Sequence, residues 1–279
     1  MEINGRWTCT ILGATKRCPK SITTRSVLMN AWVLTGFGLN IAMIMMAVAW
    51  AIARRVGNAG CLDVAAAGGF ALLACFYAMV SSGDFVRKWL LTGMVTIWSL
   101  RLAALLLVEI IRTHPQEPRR YLALRENFPK RPWLMLLAFS QYLAALVAIF
   151  AVPFAIACSN PSFGLRGIEI FATALWVVSF GASTVAREPF RRWLTTRKSS
   201  TLARDADLSR YRLPISYVPE WLAWFAYFLF ALGSPWGWTT FYCPLLMFYS
   251  LTTANALLPR PPEDTIESGS PTPKDGCGN

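Results

Sequence analysis

Residues 28–53 read LMNAWVLTGFGLNIAMIMMAVAWAIA, a run without a single Lys, Arg, Asp or Glu. A helix rises 1.5 Å per residue, so this stretch is longer than the roughly 30 Å hydrocarbon core of a bilayer. Inside that core every backbone N–H and C=O must be satisfied within the segment, which selects a helix. The run also exceeds the apolar region of a cleaved signal, about 7 to 15 residues. It therefore predicts a retained membrane helix behind a polar amino-terminal segment, residues 1–27, that carries Arg6, Lys16, Arg17, Lys20 and Arg25.

Working outward, six more apolar stretches approach spanning length: Leu62 to Ser82, Trp89 to Ile111, Trp133 to Ala157, Ile168 to Ala186, Tyr217 to Leu232 and Trp238 to Leu258. The turn 233–237 (GSPWG) makes the last two a tight pair, and a count of six follows if that pair is fused or removed. The expectation is an all-α, seven-helix transmembrane bundle over residues 28–258, followed by a disordered tail over 259–279 that is rich in Pro, Ser, Gly, Asp and Glu. Lys and Arg concentrate on the loops after spans one, three and five. The positive-inside rule then places the amino terminus outside and the carboxyl terminus in the cytoplasm.

Composition agrees with a lipid solvent. Of 279 residues, 55% are hydrophobic and 15% charged, and mean hydropathy is +0.42. A soluble domain carries about 25% charged residues, so a simple cytosolic domain, a disordered chain and a collagen-like repeat are disfavoured together. The net charge of +12 could suggest nucleic acid. The cations lie between apolar stretches, however, and read as headgroup anchors. The 7 Cys show no two-residue spacing of a zinc or redox motif, and the odd number argues against a disulfide framework. With His114 as the only histidine, a multi-histidine metal centre is excluded. There is no GxGxxG and no P-loop, so a bound dinucleotide would have to sit among the helices.

The residues that lipid tolerates least are few. Arg101 lies deep in the third span, where a charge costs about 2.5 to 3.5 kcal/mol even on the insertion scale, and it should face the bundle interior. Its alternatives are snorkelling or pairing towards Glu109. Gln141 in the fourth span reads as an interhelical hydrogen bonder. Glu220 stands at the start of the sixth span, where both of its protonation states could be hydrated. Trp224 and Tyr227 follow it by four and seven residues, so the three share a helical face. Two basic, Tyr-bearing loops, Arg112 to Pro132 and Arg187 to Glu220, have the chemistry to hold phosphates and a ribose.

The order Trp98-x-x-Arg101-Leu102, Glu117-x-x-Arg120-Tyr121, Leu208-x-x-Tyr211, Tyr217, Glu220, Trp224, Tyr227 resembles the carboxyl-terminal domain of steroid 5α-reductases and their bacterial relatives. The resemblance covers about residues 90–257 and is most specific from Asp207 to Tyr227. It implies seven spans and an NADPH-dependent reduction of a carbon–carbon double bond conjugated to a carbonyl, in a steroid or other lipid drawn from the membrane, with no nucleic-acid partner. It implies Glu220 and Tyr217 as catalytic residues. It further implies Arg101, Arg120, Tyr121, Tyr211, Arg212, Ser216 and Trp224 as cofactor contacts, with Arg120 and Tyr121 closing the cytoplasmic mouth and both basic loops folded over one NADPH. Tyr77 is a candidate to polarise the carbonyl, against a plain reading as a packed core tyrosine.

The chain also departs from the family pattern. Asp207 replaces a Gly, Pro214 a His, Ser216 an Asn and Pro219 a Gly, so several donors are lost. An acidic motif upstream falls on Ser183, Ala186, Arg187 and Pro189. Two readings follow: a reductase whose phosphate cradle is rebuilt from Arg187, Arg191 and Arg192, or a catalytically inactive member that binds lipid or serves a structural role. A membrane methyltransferase of related architecture is a lesser alternative.

Overall fold

The computed structural model describes the backbone of residues 2–256 apart from 4–5, 12–13, 18–19, 114–116, 129 and 197–204. Side chains are described over 31–184 and 218–250, except 114–116, 119 and 129. The order of elements is β1 (Glu2–Ile3), β2 (Arg6–Ile11), β3 (Ala14–Arg17), α1 (Lys20–Val56), α2 (Cys61–Val80), α3 (Phe85–Thr113), α4 (Arg119–Asn127), α5 (Pro132–Phe150), α6 (Val152–Cys158), α7 (Gly167–Thr196), α8 (Asp205–Leu232), a 3-10 turn (Gly237–Phe241) and α9 (Tyr242–Ala256).

The chain is helical except at its start. The all-α expectation holds for the body of the chain; before it, three short antiparallel strands pair in the order β1-β2-β3, with Ile3 opposite Arg6 and Ile11 opposite Ala14. β2 brings Trp7, Thr8, Thr10 and Ile11, and the sequence places Asn4-Gly5 and Gly13 between the strands. Asn-Gly and Gly at such positions favour two-residue hairpins, and β-branched or aromatic residues favour strands.

Among the described residues, five helical segments are long and apolar enough to cross a membrane: Ala31–Val56, Cys61–Val80, Phe85–Thr113, Pro132–Cys158 and Gly167–Thr184. The apolar part of α8, Val218–Leu232, is shorter. Large apolar side chains such as Phe37, Ile44, Met79, Ile97 and Val178 point outward along these helices. A water-soluble fold would hide such a surface, whereas lipid is its solvent.

α1, α2, α3 and α5 form one packed group and α7, α8 and α9 another, with α6 touching α3 and α8 between them. The α2–α3 seam is lined by Ala67, Ala71 and Ala74, whose small side chains let the backbones approach. Ser99 Oγ donates to Ala67 O at 2.5 Å and accepts from Ala71 N, and Thr92 Oγ1 donates to Ala74 O. α5 breaks at Ala151 because Pro153, in the first turn of α6, has no N–H for the carbonyl of Ile149. That carbonyl is recovered by Tyr242 Oη, which donates to it at 2.7 Å from the start of α9.

Candidate functional site

Arg101 sits between the two helix groups. From α3 its guanidinium crosses to α7, where Nη1 donates to Phe180 O at 3.2 Å and Thr184 Oγ1 at 2.5 Å, and Nη2 donates to Ser183 Oγ at 2.6 Å. Nη2 also pairs with Glu220 Oε1 on α8 at 3.5 Å. The guanidinium carbon lies 4.3 Å from the Phe180 ring centroid, so a cation–π contact adds to the hydrogen bonds. The expectation that this charge faces the interior holds. Its carboxylate is Glu220, on another helix, and not Glu109 further along its own, which is exposed.

Glu220 is 7% exposed. Its placement at a hydrated span end is therefore corrected: the carboxylate is inside the bundle, and Trp98 Nε1 donates to its Oε2 at 2.9 Å. Trp224 and Tyr227 lie on the same buried face of α8, as the four- and seven-residue spacing requires. Around them Trp98, Phe70, Phe150 and Phe154 pack mostly edge-on, with Phe154 stacked on Trp224, at ring centroids 4.9 to 6.5 Å apart. Tyr227 Oη accepts from Trp176 Nε1 at 2.8 Å and donates to Met94 O at 3.4 Å. Trp224 Nε1 is buried with no partner among the described residues. Beneath the site Ser179 Oγ donates to Pro219 O and fixes α7 against α8.

The helix carrying Glu220 continues towards its amino-terminal end through Tyr217, Ser216, Arg212 and Tyr211, and α7 continues through Arg187, Arg191 and Arg192. The side chains of these seven residues lie outside the described ones. Their positions follow from the helices: Arg212, Ser216, Glu220 and Trp224 recur every four residues and share one face of α8.

Arg120 and Tyr121 are elsewhere. Tyr121, on α4, is fully buried, and its hydroxyl donates to Asp63 Oδ1 at 2.8 Å. Arg120 forms an ion pair with the same carboxylate. Glu117 Oε1 accepts from Ala59 N at 2.7 Å and pairs with Arg125 at 3.2 Å. Together these contacts seal the loop after α3 onto the α1–α2 turn. Burial, and then the Asp63 charge, push the Tyr121 phenol above its ordinary range. Asp63 is seven residues before Phe70 on α2, so this cluster lies about 10 Å along that helix from the aromatic site. Tyr77 is a packed core residue: it is 0% exposed and its ring end lies against Gly38, where any Cβ would collide with it. Gln141 Nε2 reaches Met43 O on α1 at 3.5 Å, a long interhelical hydrogen bond.

A second buried charge cluster was not anticipated. Arg87 and Glu169, both 0% exposed, pair at the opposite ends of α3 and α7 from Arg101. Nε donates to Oε1 at 2.6 Å and Nη2 to Oε2 at 3.1 Å, a bidentate geometry. Nη1 donates to the carbonyls of Asn160 and Ser162, and Nη2 to that of Gly164. Asn160 Nδ2 in turn donates to Gly233 O and Ser234 Oγ on the turn after α8. Near span ends both charges resemble headgroup anchors, and no local spacing connects residues 82 positions apart.

A chain with a helical membrane core and one buried Arg–Glu–Trp constellation is defined more by that site than by its helices. Residues 49–260 match the family described as Protein of unknown function (DUF1295). That span is most of the chain, and the protein belongs to this family. No curated protein and no solved structure gives a significant match.

Proposed function

We propose that this protein is a membrane-embedded reductase that uses NADPH to reduce a carbon–carbon double bond conjugated to a carbonyl in a steroid or other lipid. We further propose that it crosses the bilayer seven times, α8 and α9 supplying the last two spans, with its amino terminus outside. The observation that carries the proposal is the buried Glu220 carboxylate, held by Arg101 and Trp98 beside an unpartnered Trp224 Nε1. An ion pair inside a membrane protein is costly to bury and weak evidence of stability, which favours a role in function.

The donor set suits a nicotinamide dinucleotide. Glu220 can accept from a carboxamide NH2, Trp224 Nε1 can donate to its oxygen, and Arg212 with Arg187, Arg191 and Arg192 can meet phosphates. When bound, NADPH supplies a hydride to the β-carbon of the double bond. Tyr217, three residues before Glu220 on α8, is the proposed donor to the substrate carbonyl, where negative charge develops. Arg101 fixes the carboxylate of Glu220 and is a positioning residue in this scheme. Tyr121 and Arg120 hold the loop after α3 in place through Asp63.

The alternative of an inactive, lipid-binding member draws on the same contacts, because Arg101 and Tyr121 spend their hydrogen bonds within the protein. Titrating the detergent-purified protein with NADPH and following nucleotide fluorescence separates the two. Saturable binding supports the reductase, and its absence at millimolar nucleotide removes it. Comparing lipid extracts of cells with and without the protein should reveal one lipid class shifted by two hydrogens. Glu220→Gln should lower turnover by about a hundredfold or more, as loss of one preorganised catalytic contact does, while Glu220→Asp retains part of it. Equal turnover by Glu220→Gln and the parent would refute the site.

A further inference from the structure

The cations on the loop between α3 and α5 divide into two sets. Arg120 and Arg125 are paired with Asp63 and Glu117. Lys130 and Arg131, in the turn that follows α4, have no carboxylate partner among the described residues, and both are exposed. These two line a cavity of about 640 Å³ together with Asn127, Phe128, Leu134, Met135 and Ala138. Arg131, Leu134, Met135 and Ala138 recur at three- and four-residue spacing, so they form one stripe at the start of α5. The stripe is cationic at its outer end and apolar where α5 enters its membrane-spanning segment.

We propose that this groove is a binding site for an anionic phospholipid, its headgroup phosphate against Lys130 and Arg131 and an acyl chain along Leu134, Met135 and Ala138. The occupant must be amphiphilic and anionic, because the lining changes from charge to hydrocarbon along one face. A neutral headgroup would leave two cations without a counter-charge, and a soluble anion would leave the apolar wall bare. The tryptophan two residues after Arg131 keeps the groove in shape: Trp133 O accepts from Trp50 Nε1 at 2.9 Å, and Arg125 stacks 4.4 Å over its ring. This site is separate from Glu220 and does not depend on the reductase reading.

Native mass spectrometry of the full chain in neutral detergent tests it, using phosphatidylglycerol and phosphatidylcholine with the same acyl chains. The wild type should retain phosphatidylglycerol in preference. A surface cation facing anionic lipid contributes about fivefold, so the double variant Lys130→Gln/Arg131→Gln should lose about thirtyfold of that preference. Arg55→Gln/Arg166→Gln removes the same charge from exposed positions outside the groove lining and should leave the preference intact. Leu134→Glu, at a half-exposed position that does not test the fold, should also lower retention. The proposal is overturned if the wild type shows no preference. It is equally overturned if the Arg55/Arg166 variant loses as much, which would mark a general charge effect, or if inorganic phosphate displaces the lipid, which would mark a free-anion site.

Discussion

Replacing Arg87 with Met isolates what a saturated buried ion pair does in this bundle. The guanidinium has five N–H donors, and the structure gives all five an acceptor: two on Glu169 and one each on Asn160, Ser162 and Gly164. Met is close in volume, so the packing loss is small and the cost is electrostatic. Glu169 is left at 0% exposure with, among the described residues, the Arg166 N–H facing it at 2.8 Å. Removing one partner of such a pair costs about 3 to 5 kcal/mol, which shifts the folded-to-unfolded ratio by a factor of roughly a thousand. Arg87→Lys keeps the charge but offers three donors in place of a fork, so about half that loss is expected. Arg87→Met/Glu169→Leu removes both charges and should recover most of it, since a buried pair exchanged for apolar residues is often close to neutral. Reversible unfolding in mixed micelles, run as a double-mutant cycle, measures the coupling. A single Arg87→Met loss below about 1 kcal/mol, or a double variant no better than the worse single, would refute the claim that this pair clamps α3, α7 and the turn after α8.

Two further expectations concern side chains that satisfy groups left open by the fold. Tyr242→Phe leaves the Ile149 carbonyl, opened by Pro153, without a donor, and should cost about 2 kcal/mol in the same unfolding assay; no change would mean another donor replaces it. Tyr121 carries a phenol whose folded-state pKa is raised by burial and by Asp63, so its stabilisation is complete below about pH 10 and is lost as pH rises beyond that. Melting curves of the parent should fall more steeply above about pH 10 than those of Tyr121→Phe, and parallel curves would contradict the Asp63 contact.

Much of this arrangement is written in local spacing. The charge-free run at residues 28–53 and its successors mark the apolar helices, and the four- and seven-residue intervals from Glu220 to Trp224 and Tyr227 mark a buried face before any contact is known. An Arg deep in a span must turn inward, and Arg101 does. Partner choice is another matter, because it depends on tertiary distance. Nothing local joins Arg101 to Ser183, or Tyr121 to Asp63 across 58 positions, so a Tyr and an Arg suited to a cofactor are instead bound to a carboxylate on α2. The buried state of Glu220 is equally non-local, since it depends on Trp98 and α7 closing over the middle of α8. The amino-terminal hairpins did carry a signal, Asn4-Gly5 and Gly13, but a search for apolar runs weights polarity above turn chemistry.

The two charge clusters tie the same pair of helices and differ in how far their donors are satisfied. Arg87 to Arg101 on α3 and Glu169 to Ser183 on α7 are both fourteen-residue intervals, about 21 Å of parallel rise, so the clusters tie the same helices at two depths. At the Glu169 level every guanidinium donor meets a protein acceptor, and Gly233 approaches so closely that a Cβ there would lie 2.6 Å from Glu169 Cγ. That cluster has no room for a ligand and no group that needs one. At the Glu220 level the indole N–H of Trp224 is buried without a partner among the described residues, and an orphaned donor in hydrocarbon is costly unless something else completes it. Beyond it α7 and α8 carry five Tyr and Arg positions, Arg187, Arg191, Arg192, Tyr211 and Arg212, towards their shared connection. The closed cluster therefore serves to hold the helices in register. The incomplete one, with a buried ion pair and an N–H that has no partner among the described residues, is the site proposed above for the nucleotide.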